Sequence, residues 1–285
     1  MTILAAETTT PGRRAQVGLV AFTLAGGMAI FVGGTPYFQL TAANDNPLYN
    51  GALVGAFGLL GWWLRGRPSL ASYEACSQAL FVAAAAMFVL VVGPFNWLVT
   101  SHDEVVQAFQ DKLAQFLAVV PVILILTWAM RRPWGSVYLQ NGLPKRWLVF
   151  GLSSFGISSI AIAGLALLSG ISSTALLSAA PWIVVFAMLN SSMEEVWFRG
   201  IFLRPYSAAM GGAAAIAVTA FVFAEAHVGA TYVSSVLEHL LLVALAVAIG
   251  FVAARVISWA DSLWGAVLFH MGLDLHVDFG LVQAV

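Results

Sequence analysis

The stretch EEVWFR at residues 194–199 places three charged side chains inside an apolar run over residues 179–203. Similar interruptions follow at residues 223–227, which read FAEAH, and at residues 270–274, which read HMGLD. Ionisable side chains are costly in hydrocarbon, so they persist mainly where they face one another around a wet cavity. The three clusters therefore predict a candidate active site inside a membrane protein.

The composition also predicts a membrane setting. Of the 285 residues, 61% are hydrophobic and 9% are charged, and the mean hydropathy is +0.91. Soluble domains carry about 25% charged residues, so this chain has too little polar surface for a water-soluble globule. The net charge of −1 lacks the basic excess with which a nucleic-acid-binding protein neutralises phosphates. We therefore expect the lipid bilayer, and no nucleic acid, as a partner.

The apolar stretches predict an all-α fold, a polytopic membrane helix bundle of eight or nine transmembrane helices. We expect one membrane-embedded domain over residues 16–285, after a mobile N-terminal tail at residues 1–15. The predicted spans lie at residues 16–35, 48–64, 76–100, 112–130, 146–168, 179–203, 207–227, 231–254 and 261–280.

The basic residues predict an orientation. Ten of the twelve fall in loops on one side of the nine predicted spans. The exceptions are Lys112, placed by the prediction in an acidic loop after the third span, and Arg199, inside the sixth. Because basic loops stay cytoplasmic, we expect an integral protein of a bacterial inner membrane with a cytoplasmic N-terminus.

Helical spacing sorts the residues of the first cluster. Glu195 and Arg199 are four residues apart and share a helix face, which predicts a supporting ion pair. Glu194 is rotated by about 100° from Glu195 and has no obvious local partner. It is the candidate general base that activates water. The alternative is a carboxylate satisfied by the hydroxyl groups of Ser191 and Ser192.

The other two clusters supply histidines. His270 and Asp274 are four residues apart on one face, a spacing that can fix an imidazole tautomer, ligate a metal or stabilise an oxyanion. His227 ends the seventh span, and Phe223 precedes it by one turn as a pocket wall. We expect Glu194, His227 and His270 to converge on one cavity within the bilayer.

Two further pairs of polar residues compete for attention, Glu238 with His239 and, near the C-terminus, His276 with Asp278, which we expect to be interfacial. Glu238 and His239 lie together in the eighth predicted span, where they could line a cavity. Glu225 sits about 160° around the helix from His227 and is secondary.

The patterns EExxxR, FxxxH and HxxxD, in this order and in predicted membrane helices, resemble the three motifs of the CPBP family (CAAX protease and bacteriocin-processing, or Abi). That family includes the type II CAAX prenyl endopeptidase. The likeness covers residues 145–280, the expected catalytic core, and includes SLWG at residues 262–265, which is similar to the family's run before its last histidine. It implies an intramembrane protease, a hydrolase.

The resemblance also implies a role for each motif residue. Glu194 would be the water-activating glutamate and His227 its catalytic partner, while His270 would help to hold the scissile carbonyl or its oxyanion. Asp274 stands where the family usually has Asn. Since an ionised Asp only accepts hydrogen bonds, Asp274 must be protonated, orient His270 or bind a cation. We expect the orienting role.

Metal dependence and substrate stay open at this point. Glu194, His227 and His270 would suit a catalytic zinc, which makes a metalloprotease the alternative to a glutamate-activated water that requires no cofactor. We favour the second mechanism. The expected substrate is a membrane-associated peptide or protein, prenylated or not.

Two other classes of function use the same residue types. A proton- or ion-coupled transporter also needs carboxylates and histidines within the membrane, but no inverted repeat is visible. A non-catalytic membrane scaffold or immunity protein of the same fold would also keep the motifs, and only the departure at Asp274 favours it. Exchange of Glu194 for Gln separates an enzyme from a scaffold.

Overall fold

The computed structural model describes residues 12–34, 46–230 and 235–283, with backbone alone at residue 46 and residues 276–283. Regular structure in these ranges is entirely helical, which confirms the predicted all-α fold class. The expected N-terminal tail lies outside the described residues as far as residue 11. The helices are α1 (Arg13–Gly27), α2 (Asn46–Leu64), α3 (Ala71–Val92), α4 (Glu104–Ala129), α5 (Pro144–Leu168), α6 (Ser173–Glu194), α7 (Leu203–Met210), α8 (Gly212–His227), α9 (Val236–Ala260) and α10 (Trp264–Gln283).

Several of these helices suit a bilayer. Within the described ranges, six helical segments are long and apolar enough to cross a membrane. The chain is thus an integral membrane protein of the polytopic helix-bundle class. The six segments are Arg13–Val32, Pro68–Val92, Glu104–Ala129, Pro144–Leu168, Ser173–Met210 and Val236–Ala260.

The start of α4 corrects one prediction. The helix begins at Glu104, eight residues before the predicted span, because the Asp103 side chain accepts a hydrogen bond from the Val106 backbone and caps it. Lys112, expected in a loop, therefore lies inside α4.

The seventh predicted span is also different. Residues 207–227 do not form one helix, because Gly211 has φ +88° and separates α7 from α8. Glycine adopts this backbone conformation without steric cost, whereas other residues are strained there. His227 thus ends a separate helix of 16 residues.

The described chain divides into two compact units. The first unit takes its residues from Met1–Phe88 and Ile201–Phe251, and the second takes its residues from Val89–Gly200 and Val252–Val285. The single membrane-embedded domain stays a prediction. Of the motif residues, His227 and Phe223 belong to the first unit and the others to the second.

In the second unit, α10 packs closely against α5. A Cβ atom on Gly265 would lie 3.0 Å from the Trp147 Cβ, and one on Gly272 would lie 3.0 Å from the Ser158 Cβ. Small residues at such positions let two helix backbones approach each other. Another part of α10 packs on α6 in a core of Ile183, Ala187, Met271 and Leu275. These contacts set the position of the third motif beside the first.

The SLWG run at residues 262–265 anchors the start of α10. The Ser262 hydroxyl donates to the Gln140 carbonyl at 2.8 Å, and the Leu263 backbone N–H donates to the Tyr138 carbonyl at 3.2 Å. The Gln140 amide in turn donates to an Asp261 carboxylate oxygen at 2.6 Å. The run that precedes His270 is therefore tied to the segment before α5.

Candidate active site

The first motif lies on an irregular part of its helix. Glu194 is the last residue of α6, and a π-helical turn, Glu195–Gly200, follows directly. All six residues of this turn are buried. Such turns are rare and occur frequently at functional sites, because the wider helix changes the direction in which side chains point. Here it carries Glu195 and Arg199.

Glu195 joins two partners with one oxygen atom. Its Oε1 lies 3.1 Å from Arg199 Nη1 and 2.9 Å from His270 Nδ1. The predicted ion pair between Glu195 and Arg199 is therefore present, and both side chains are fully buried. The hydrogen bond to His270 was not predicted. It connects the first motif with the third through a group that the sequence assigned to folding alone.

The other ring nitrogen of His270 faces two more carboxylates. His270 Nε2 lies 3.5 Å from Glu194 Oε2 and 3.6 Å from Asp274 Oδ1. The Glu194 side chain is 15% exposed, compared with 0% for Glu195. Glu194, the predicted base, is thus the more accessible carboxylate of the pair. The structure brings Glu194, Glu195, His270 and Asp274 together in the second unit.

A residue that the sequence analysis missed also contacts this cluster. Asn190 Nδ2 donates to Asp274 Oδ2 at 3.1 Å, and both side chains are buried. A signal for Asn190 existed, because it lies four residues before Glu194 in an apolar helix and so shares its face. The expected orienting role of Asp274 stays a prediction, and Glu195 is a second residue in position to orient the ring. Glu195 holds the Nδ1 atom of His270, whereas Asp274 stands at Nε2.

His227 and Phe223 form a local pair within the first unit. His227 Nδ1 lies 2.9 Å from the Phe223 carbonyl oxygen, and the two rings meet edge to face with centroids 4.6 Å apart. Phe223 is buried and His227 is half-buried. The two rings are thus in contact, and the role of Phe223 as a pocket wall stays a prediction. The convergence of His227 with Glu194 and His270 stays a prediction.

The competing polar residues have other contacts. Glu238 accepts from the Ser235 backbone at 3.0 Å, and the Ser235 hydroxyl accepts from the Glu238 backbone at 3.2 Å. This reciprocal pair is a capping box, so Glu238 stabilises the first turn of α9. His239 Nε2 lies 2.9 Å from the Val228 carbonyl. Glu225 lies against Gly27, and a Cβ atom added to Gly27 would overlap the Glu225 carboxylate.

The carboxylates and the imidazole of this cluster are also residue types that bind metal ions. Among the side chains that the structure describes, no group of three or more His, Cys, Asp or Glu residues is arranged to hold a metal ion. The zinc alternative and the expectation that no cofactor is required both stay predictions.

Comparison with known families agrees with the motifs. The model of the Rce1-like family, described as type II CAAX prenyl endopeptidase Rce1-like, matches residues 176–276, which contain all three motifs. The match confirms the resemblance to the CPBP (CAAX protease) family that the motifs predicted. At the family level it indicates a protease, of the CAAX-type intramembrane class. Neither the curated proteins nor the solved structures gave a match.

Proposed function

We propose that the protein is an intramembrane endopeptidase that hydrolyses a peptide bond of a membrane-associated peptide or protein, prenylated or not, with a water activated by Glu194. One observation carries the proposal. Glu194 Oε2 lies 3.5 Å from His270 Nε2, while Glu195 Oε1 occupies the opposite nitrogen at 2.9 Å. The partly accessible Glu194 carboxylate thus lies next to the Nε2 atom of His270, while Glu195 contacts the other ring nitrogen, Nδ1.

The two glutamates have different surroundings, which supports different roles. Glu195 is fully buried, pairs with Arg199 and contacts His270. Because Arg199 compensates the charge of Glu195, Glu195 suits the role of a residue that positions His270. Glu194 keeps part of its side chain accessible and lies at the end of α6. A general base must reach the proton that it abstracts, directly or through one water, and Glu194 meets this condition better than Glu195.

His270 suits the substrate carbonyl. An ionised Glu195 can only accept, so the Nδ1 atom of His270 carries a proton toward it. A second proton on Nε2 would face Glu194 and Asp274, the side on which a reacting carbonyl would lie. In this form the ring donates to the developing oxyanion, whose negative charge it stabilises. His227, by the family resemblance, is the catalytic partner of Glu194 in handling the proton of the water.

The proposal also includes the membrane in which the protein lies and the side from which the substrate arrives. We infer a bacterial inner membrane with a cytoplasmic N-terminus, because the basic residues predict that orientation. The substrate reaches the site from the bilayer. No cofactor is required, because Glu194 acts as a free base only when it does not ligate a metal.

The experiment compares the wild type with Glu194→Gln in membranes. Newly generated protein termini are sequenced by mass spectrometry after expression of each form. The wild type should produce a set of cleavage sites that the Gln variant lacks, while the control Glu104→Gln, an exposed carboxylate at the start of α4, should match the wild type. Identical termini with wild type and Glu194→Gln would contradict the proposal and favour the scaffold.

A further inference from the structure

Three basic side chains of the second unit lie where α5 begins and α9 ends. The Leu143 backbone N–H donates to the Ala260 carbonyl at 2.7 Å, so these two helix ends are adjacent. Lys145 and Arg146 lie in the first turn of α5, and Arg255 lies in the last turns of α9. All three side chains are exposed. We call Lys145, Arg146 and Arg255 the basic cluster.

Trp259 connects the two arginines of the basic cluster. Arg146 Nη1 donates to the Trp259 carbonyl oxygen at 2.7 Å, and the guanidinium carbon lies 5.3 Å from the centroid of the Trp259 ring. Arg255 precedes Trp259 by four residues on α9, so the two share a helix face. The Trp259 side chain is itself 46% exposed. Both arginines therefore belong to one patch of surface around an exposed indole ring.

The positive charge of this patch is not balanced by a carboxylate. Among the residues that the structure describes, none forms an ion pair with a member of the basic cluster. The carboxylate of Asp261, which follows α9, accepts from the Gln140 amide at 2.6 Å. Lys145 and Arg146 also lie in the first turn of a helix, where the helix dipole disfavours positive side chains. An anion from outside the chain would balance these charges.

The surface next to the basic cluster indicates which kind of anion fits. Val149 and Leu152 follow Lys145 by four and seven residues on α5, so the three share one helix face. Val149 is 64% exposed and Leu152 is 55% exposed. Because α5 is long and apolar enough to cross a membrane, an exposed apolar face of this helix suits contact with lipid chains. A cationic end and an apolar stripe together fit an amphiphilic anion.

We propose that the basic cluster binds the phosphate group of an anionic phospholipid, one acyl chain of which lies along Val149 and Leu152. Guanidinium groups bind phosphate oxygens through strong, charge-assisted hydrogen bonds. The exposed indole of Trp259 suits the same level, because tryptophans concentrate where lipid head groups meet the hydrocarbon. A phospholipid uses both the cations and the apolar stripe, whereas a free phosphate ion uses the cations alone. This lipid site is independent of the proposed endopeptidase function.

The experiment titrates purified full-length protein in detergent with phosphatidylglycerol or with phosphatidylcholine of the same acyl chains, and native mass spectrometry counts the bound lipids. The wild type should bind phosphatidylglycerol more tightly. Arg146→Gln and Arg255→Gln should each raise the Kd for phosphatidylglycerol about fivefold, the loss expected for one basic residue at a membrane surface, and leave phosphatidylcholine binding unchanged. Glycerol 1-phosphate, which has the phosphate but no acyl chains, should not displace the lipid. Its displacement of the lipid would show a site for phosphate alone and overturn the proposal.

Arg14→Gln is the matched control, since Arg14 is an exposed arginine in the first turn of α1, in the first unit. It removes the same charge outside the basic cluster and should leave both affinities unchanged. Thermal melting without added lipid checks that each variant is folded, and Arg255 has no hydrogen bond or ion pair whose loss would unfold the protein. Equal Kd values for the two lipids in the wild type, or equal losses in Arg14→Gln and Arg255→Gln, would overturn the site and leave the endopeptidase function standing.

Discussion

Glu195 and His270 are joined by a hydrogen bond of 2.9 Å between Oε1 and Nδ1, although 75 residues separate them in the sequence. The same oxygen pairs with Arg199 at 3.1 Å. Arg199 therefore acts on the imidazole through Glu195, because it compensates the charge of the carboxylate that holds the ring. We infer that Glu195 and Arg199 position His270 in addition to stabilising the fold.

Arg199→Ala should destabilise the protein. It would leave Glu195 as a buried carboxylate without its guanidinium, and breaking a buried pair costs about 3–5 kcal/mol of unfolding free energy. We expect low abundance in the membrane and a lower melting temperature in detergent. If the variant were abundant and melted like the wild type but were inactive, Arg199 would instead act on the substrate.

Asp274→Asn should keep or increase activity. Glu195 contacts Nδ1 of His270, so we expect the ring to keep its orientation without the Asp274 carboxylate. An Asn side chain can accept from Asn190 through its oxygen and offer its N–H₂ group as a permanent donor near Nε2. Because that donor does not titrate, the profile of kcat/KM from acid to neutral pH should become flatter. A large loss of kcat/KM across this pH range would show instead that Asp274 orients His270.

Asn190→Asp should be strongly harmful. It would place a second carboxylate against Asp274 in a buried position and replace the 3.1 Å hydrogen bond by repulsion between like charges. We expect kcat/KM to fall about tenfold or more, which corresponds to about 1.4 kcal/mol.

The double variant Asn190→Asp with Asp274→Asn tests whether the loss in Asn190→Asp comes from repulsion by Asp274. It exchanges the amide and the carboxylate between α6 and α10 and restores an amide-to-carboxylate hydrogen bond. A positive coupling energy in the double-mutant cycle is expected. Additive effects of the two substitutions would show that the Asn190 contact has no role in the site.

Gly272→Ala should loosen the contact between α10 and α5. The new Cβ would lie 3.0 Å from the Ser158 Cβ and 3.2 Å from the Phe155 Cα, and overpacking of this kind costs about 1–3 kcal/mol of unfolding free energy. The melting temperature should drop. Gly156→Ala on α5 is the control, because nothing lies within 4 Å of its Cβ. If both variants melted alike, the close approach at Gly272 would not contribute to stability.

Chelation tests the metal alternative. Activity should survive prolonged treatment with a zinc chelator, because the proposed base is the free carboxylate of Glu194. Restoration of lost activity by added zinc would contradict this expectation.

The sequence by itself determined the helices and the local pairs. Each of the nine predicted spans overlaps an observed helix, because about 20 consecutive apolar residues are what a membrane helix requires. The pair of Glu195 and Arg199 was also predictable, since residues four apart on a helix share a face. Lys112 lies inside α4 and not in the expected loop, because the cap residue Asp103 starts the helix before the apolar run begins.

The contacts between helices were decided only by the tertiary structure. Spacing along one helix cannot show that Glu195 holds Nδ1 of His270, or that Asn190, 84 residues away, binds Asp274. Which side chains meet depends on the rotation and approach of α6 and α10. The π-helical turn after Glu194 and the close packing at Gly272 set that rotation and approach, because one widens its helix and the other lets two backbones come together.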